Sequence, residues 1–167
     1  GAAVAHVHAR DENGDPTADP AVYAAIADEI RSRCDIVVQA STGVGLTVPW
    51  EERLKIITSA EVDVTMATLN PASMTFANST FSNPPEFVQK LAEAMHERGI
   101  HPELELYDFG HVSLCLDLVE QSLIRVRQTD GVVVEIDETL QIDLADADVV
   151  GDTHEVGKLG DRLLEAG

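Results

Sequence analysis

Four times between residues 1 and 123 a short apolar run gives way to a stretch with helical periodicity. The runs at 1–9, 35–40, 62–69 and 101–107 have the length and composition of strands. Val22, Ile26 and Ile30, then Trp50, Leu54 and Ile57, then Phe87, Leu91 and Met95, and finally Val112, Cys115, Leu116, Val119 and Leu123 each fall on one helical face. Asp19-Pro20 supplies a cap and a first-turn proline for a helix over 20–33. Residues 78–83 read as a polar loop, and Asn83 to Glu86 as a capping box. Strands that are apolar almost throughout and alternate with helices imply a parallel sheet covered by helices, hence a doubly wound sheet or a (β/α)8 barrel.

Either architecture binds ligands at the carboxyl ends of its strands. The polar residues gather there: His6 and His8 after the first strand, Ser41 and Thr42 after the second, Thr68 and Asn70 after the third, and Glu105 late in the fourth. Residues two apart on a strand share a face, so His6 and His8 point the same way and can supply two ligands to a divalent metal. The alternative is a pair of hydrogen-bonded interior histidines. Arg10 is expected to order the following loop through an acidic partner.

The 30 acidic residues outnumber the 11 basic ones, and the net charge of −19 disfavours nucleic acid and anionic lipid as partners. Lys55, Lys90 and Lys158 are the only lysines. Such a surface is expected of a soluble protein adapted to high salt, where screening relieves self-repulsion. No apolar run is long enough to cross a bilayer and no signal peptide opens the chain, so a cytoplasmic location is expected, with Cys34 and Cys115 as buried reduced thiols. The chain starts at Gly1 directly before a strand, as expected if it begins within a larger fold.

The runs GAAVAHVHARDENGDPTADP, VQASTG, MATLNPASMTF and PELELYDFGHV, in this order and spacing, resemble the β-keto acid cleavage enzymes, typified by 3-keto-5-aminohexanoate cleavage enzyme. The resemblance covers residues 1 to about 123. It implies a (β/α)8 barrel that uses zinc to condense a β-keto acid with acetyl-CoA, giving acetoacetate and a new acyl-CoA. It further implies that His6 and His8 are metal ligands and that Ser41, Thr42, Thr68, Asn70 and Glu105 line the substrate site. A β-keto acid presents a ketone and a carboxylate oxygen at chelating distance, and the short donors suit both. Glu105 reads equally as a carboxylate that fixes a histidine tautomer, and Glu103 lies two residues earlier on the same face.

The sequence departs from this pattern in several places. The strand and helix that precede the paired histidines in the family are absent, as is its early glutamate. The family's late Glu-Asp-Asn segment has only a loose echo at 124–131, with Thr129 where a zinc ligand stands, and Val44 replaces a common glycine. From residue 124 onward the βα alternation stops and eleven acidic residues face four basic ones. The expectation is therefore an incomplete TIM barrel of about four βα units over 1–123 and a divergent acidic tail over 124–167. The tail reads as a β-hairpin or meander from 123 to 144, with a turn at Asp130-Gly131, then a short helix at 158–166. Open sheet edges favour a homo-oligomer. Two other readings are a zinc hydrolase of the amidohydrolase kind, for which His111 is the one further histidine suitably placed, and a truncated metal-binding fragment without catalysis.

Overall fold

A computed structural model describes residues 2–76 and 78–124, together with the backbone of 133–136 and 140–143. Two compact units divide the chain, Gly1–Leu104 and Glu105–Gly167.

In the first unit the order is β1 (Val4–Val7), α1 (Pro20–Arg33), β2 (Val37–Ala40), α2 (Trp50–Thr58), β3 (Met66–Leu69), β4 (Met74–Phe76), β5 (Ser79–Phe81), α3 (Pro85–Arg98) and β6 (His101–Leu104). The sheet runs β1-β2-β3-β6, all parallel, following chain order without reversal. Helix α1 packs on β2, α3 packs on β3 and β6, and α2 contacts both helices. Val38, Ala40, Ala67 and Leu69 are 0–3% exposed and alternate with Gln39 and Thr68. Period-two alternation therefore assigns one face of the sheet to the helices and the other to polar side chains.

Several local expectations hold. Asp19 caps α1, its carboxylate accepting from the Ala21 N–H at 2.9 Å, with Pro20 in the first turn. Gly99 ends α3 at φ +66°, a left-handed cap that costs glycine little.

Others need correction. The apolar runs overestimate the third and fourth strands, which pair only over 66–69 and 101–104. Within the expected polar loop, Ser79–Phe81 forms β5 and pairs antiparallel with β4. The capping box is not made: Pro84 occupies the N-cap position of α3 without a side-chain cap, because the Asn83 amide is drawn inward to Arg53 and to the Ala72 carbonyl. Cys34 is exposed, since it ends α1, and only Cys115 is buried. Arg10 orders its loop through the Gly14 carbonyl, at 2.9 Å, instead of an acid.

In the second unit, α4 (Phe109–Glu120) starts three residues before the first apolar position of its periodic face, because the Asp108 carboxylate accepts from the Gly110 and His111 N–H groups at 2.7 and 3.3 Å. His111 is buried and its Nδ1 accepts from the Tyr107 N–H at 3.2 Å. Strands β7 (Val133–Ile136) and β8 (Leu140–Asp143) pair antiparallel, in keeping with the expected hairpin. Leu123 and Ile124 belong to no strand. Residues 125 and 126, Thr129, the Asp130-Gly131 turn, His154 and the 158–166 helix lie outside the described residues.

Candidate functional site

The parallel register decides which side chains meet on the polar face. His6 is level with Gln39, Gln39 with Met66, and Met66 with His101. Two residues further along, Thr68 is level with Glu103. His6, Gln39, Thr68 and Glu103 therefore share one face, and His8 extends it past the end of β1.

The paired histidines converge. Their Nε2 atoms stand 3.0 Å apart and the rings are tilted by 51°. Both residues are exposed, so the interior-pair alternative does not describe them. Burial of part of the ring, helped by His6 and then Arg10, lowers the His8 pKa from its ordinary value, and a backbone hydrogen bond with Gly43 partly offsets this. His8 is accordingly neutral at pH 7, the form that ligates metals. Two ligands at about 2.0–2.1 Å from a tetrahedral ion lie about 3.3 Å apart. The two imidazoles fit a shared zinc ion in identity and spacing. Among the described residues no group of three or more His, Cys, Asp or Glu is arranged to hold a metal.

On its other side, His6 Nδ1 lies 2.8 Å from Gln39 Oε1, and Gln39 Nε2 donates to Glu103 Oε2 at 2.5 Å. Glu103 Oε2 is 4.0 Å from His6 Nδ1. Sequence reasoning missed Gln39: a lone amide in the short strand Val37–Ala40 carries no local signal until the strands are registered.

Ser41 and Thr42 follow β2 directly. The Ser41 N–H donates to the Val7 carbonyl at 3.0 Å, extending the ladder to the end of β1, and Ser41 Oγ accepts from the Gly43 N–H at 3.2 Å. Thr42 and Thr68 clasp each other: the Thr42 N–H donates to Thr68 Oγ1 at 2.8 Å and the Thr42 hydroxyl donates to the Thr68 carbonyl at 2.9 Å. Ser41, Thr42, Thr68 and Asn70 are all 0–2% exposed. Glu105 is the first residue of the second unit.

Two side chains not singled out by sequence hold this turn. The Tyr23 hydroxyl donates to the Ser41 carbonyl at 2.8 Å, and burial pushes its pKa up to about 12. Arg53, 1% exposed, donates to the Thr42 carbonyl at 2.7 Å, the Ser82 carbonyl at 2.8 Å and Asn83 Oδ1 at 2.6 Å, while its guanidinium lies 4.4 and 4.6 Å from the ring centres of Phe81 and Phe87. Burial draws its pKa down to about 10. Val44 costs the turn no backbone strain, because the left-handed residue is Gly45, at φ +76°. His8, Arg10, Pro16 and the 43–45 turn line a crevice of about 250 Å³ beside the histidines.

A parallel sheet with helices on one face, and a histidine pair at the carboxyl end of its first strand, defines an α/β protein with a candidate metal centre. The family model described as beta-keto acid cleavage enzyme matches residues 1–156, and the chain belongs to that family. Among curated relatives, the 3-keto-5-aminohexanoate cleavage enzyme of Fusobacterium nucleatum is 30% identical over 127 residues, covering 75% of this chain and 46% of the relative. The 3-oxoadipate:acetyl-CoA acetyltransferase of Cupriavidus necator is 33% identical over 113 residues, covering 67% and 38%. The chain thus spans about half the length of such relatives or less. In fold it is similar to ObcA, solved as a ternary complex with a C4-CoA adduct and oxalate, at a TM-score of 0.63 and 20% identity, covering 99% of this chain and 43% of ObcA.

Proposed function

We propose that this chain forms the metal-binding portion of a zinc-dependent β-keto acid cleavage enzyme, an acyltransferase. In the net reaction the acyl group R–CO of R–CO–CH2–COO⁻ passes to CoA, and the acetyl group of acetyl-CoA takes its place on the CH2–COO⁻ unit. The products are acetoacetate and a new acyl-CoA. The observation that carries this reading is the convergence of the His6 and His8 Nε2 atoms at 3.0 Å on the polar face of the sheet, in a chain of this family.

Bound there, zinc would act as a Lewis acid that polarises the keto group and holds the carboxylate oxygen beside it. The protein supplies orientation. His6 and His8 would hold the ion as neutral ligands and leave it its full charge for an anionic substrate. The Ser41 hydroxyl and the backbone of the 41–45 turn would present donors to the substrate oxygens, with Thr42, Thr68 and Asn70 fixing the rim. By its family resemblance alone, Glu105 is assigned a substrate-binding role.

The unreversed order β1-β2-β3-β6 with helices on one face suits four βα units of a (β/α)8 barrel, with 124–167 as a divergent acidic tail. Two parallel edges, β1 and β6, would then need further strands, from elsewhere in a longer protein or from another copy in a homo-oligomer. A cytoplasmic setting suits an acetyl-CoA-dependent reaction.

Acetyl-CoA-dependent release of acetoacetate from a panel of β-keto acids tests the assignment. Release that requires zinc and is lost in His6→Ala supports it. Metal-dependent hydrolysis of amides or lactones, without acetoacetate, would replace it with the amidohydrolase reading.

A further inference from the structure

We propose that Gln39, oriented by Glu103, is a positioning residue that fixes His6 in its Nδ1–H tautomer and so turns the bare Nε2 lone pair toward His8 and the ion between them. This assignment deepens the metal reading of His6 and His8 and rests on it.

The proton positions follow from what each group can donate. A glutamate carboxylate offers only lone pairs, so the end of Gln39 that lies 2.5 Å from Glu103 Oε2 must be its NH2 group. The amide oxygen then faces His6, and at 2.8 Å from Nδ1 it can only accept. His6 Nδ1 therefore carries the proton and Nε2 does not. Reversing the amide would set its carbonyl oxygen against the carboxylate and its NH2 against His6, which removes one attraction and adds a repulsion.

Gln39 has little freedom to do anything else. It is 2% exposed, and both ends of its amide are engaged. Strand register brings its Cα level with that of His6, so no mobile loop intervenes. Glu103 comes from β6, with β3 between, and spans the sheet to reach the amide. The relay thus makes the proton position on His6 a property of the sheet itself.

Imidazole 15N–1H correlation spectra of the full chain, metal-free at about pH 8 where ordinary imidazoles are neutral, read the tautomers directly. The expected result is Nδ1–H for His6 in the wild type, and a mixture of tautomers in both Gln39→Met, which keeps the volume and removes the amide, and Glu103→Gln. The second variant alters a partly exposed position and guards against misfolding in the first. Zinc affinity should fall by roughly ten- to a hundredfold in Gln39→Met. An Nε2–H tautomer for wild-type His6, or a His6 tautomer unchanged in either variant, overturns the relay. If the tautomers behave as expected but the wild type takes up no zinc, the relay stands and the metal reading of the histidine pair fails.

Discussion

His6 and Gln39 are level with each other on adjacent parallel strands, and His6 Nδ1 meets Gln39 Oε1 at 2.8 Å. One nitrogen of the imidazole is thereby engaged from behind, and the other is turned toward His8. Tyr23, Arg53 and the Thr42–Thr68 pair hold the turn that follows β2, through interactions that can each be removed separately.

Tyr23 ties α1 to the turn after β2, and its buried hydroxyl makes the fold sensitive to alkali. Its folded-state pKa is raised from 10 to about 12, so its contribution is fully present below pH 10 and is lost as the pH rises from 10 through 12. The loss is on the order of 2–3 kcal/mol. Urea denaturation at pH 9 and pH 12 should show this fall in wild type and a smaller one in Tyr23→Phe. The same variant should lose about 1–2 kcal/mol at pH 7, because the Ser41 carbonyl is left without its donor.

Arg53 joins α2 to two loops through three hydrogen bonds to neutral oxygens. Truncation to alanine removes all three, together with its packing between Phe81 and Phe87, and should destabilise by about 3–5 kcal/mol. Arg53→Lys should recover little, because a single ammonium cannot span acceptors set in a fork. Thermal denaturation of both variants checks the order.

The Thr42–Thr68 clasp predicts a graded pair of substitutions. Thr42→Val keeps the shape and the N–H but leaves the Thr68 carbonyl without the hydroxyl, at a cost of about 1–2 kcal/mol, whereas Thr42→Ser should cost less. Chemical denaturation midpoints at unchanged slope would confirm that the clasp acts on stability.

The shared face of His6 and His8 was legible in the sequence because it depends only on a period of two. The alternation of strand and helix was legible for the same kind of reason. What could not be read locally depends on register. From the sequence, Glu103 and Glu105 read as sharing one side of an extended strand, and only the alignment of Glu103 with Thr68 reveals that Glu103 reaches the Gln39 amide. Asn83 has the right identity and spacing for a cap, yet a buried guanidinium competes for its amide and wins. The β4–β5 hairpin was hidden because Thr75, Phe76 and Ser79 are exposed and its strands are three residues each, too short for a pattern.

A net charge of −19 with 11 basic residues predicts salt dependence. The melting temperature should rise between low salt and about 1 M potassium chloride, where the Debye length shrinks to roughly 3 Å. A melting temperature that stayed flat or fell would remove the inference of adaptation to high salt.

Calorimetric titration of the metal-free chain with zinc, set beside His6→Ala and His8→Ala, addresses the paired imidazoles most directly. The account predicts saturable uptake of about one zinc per chain, weakened at least tenfold by either substitution while the fold is kept. Equal zinc uptake by the wild type and both variants, or none by the wild type, would contradict it.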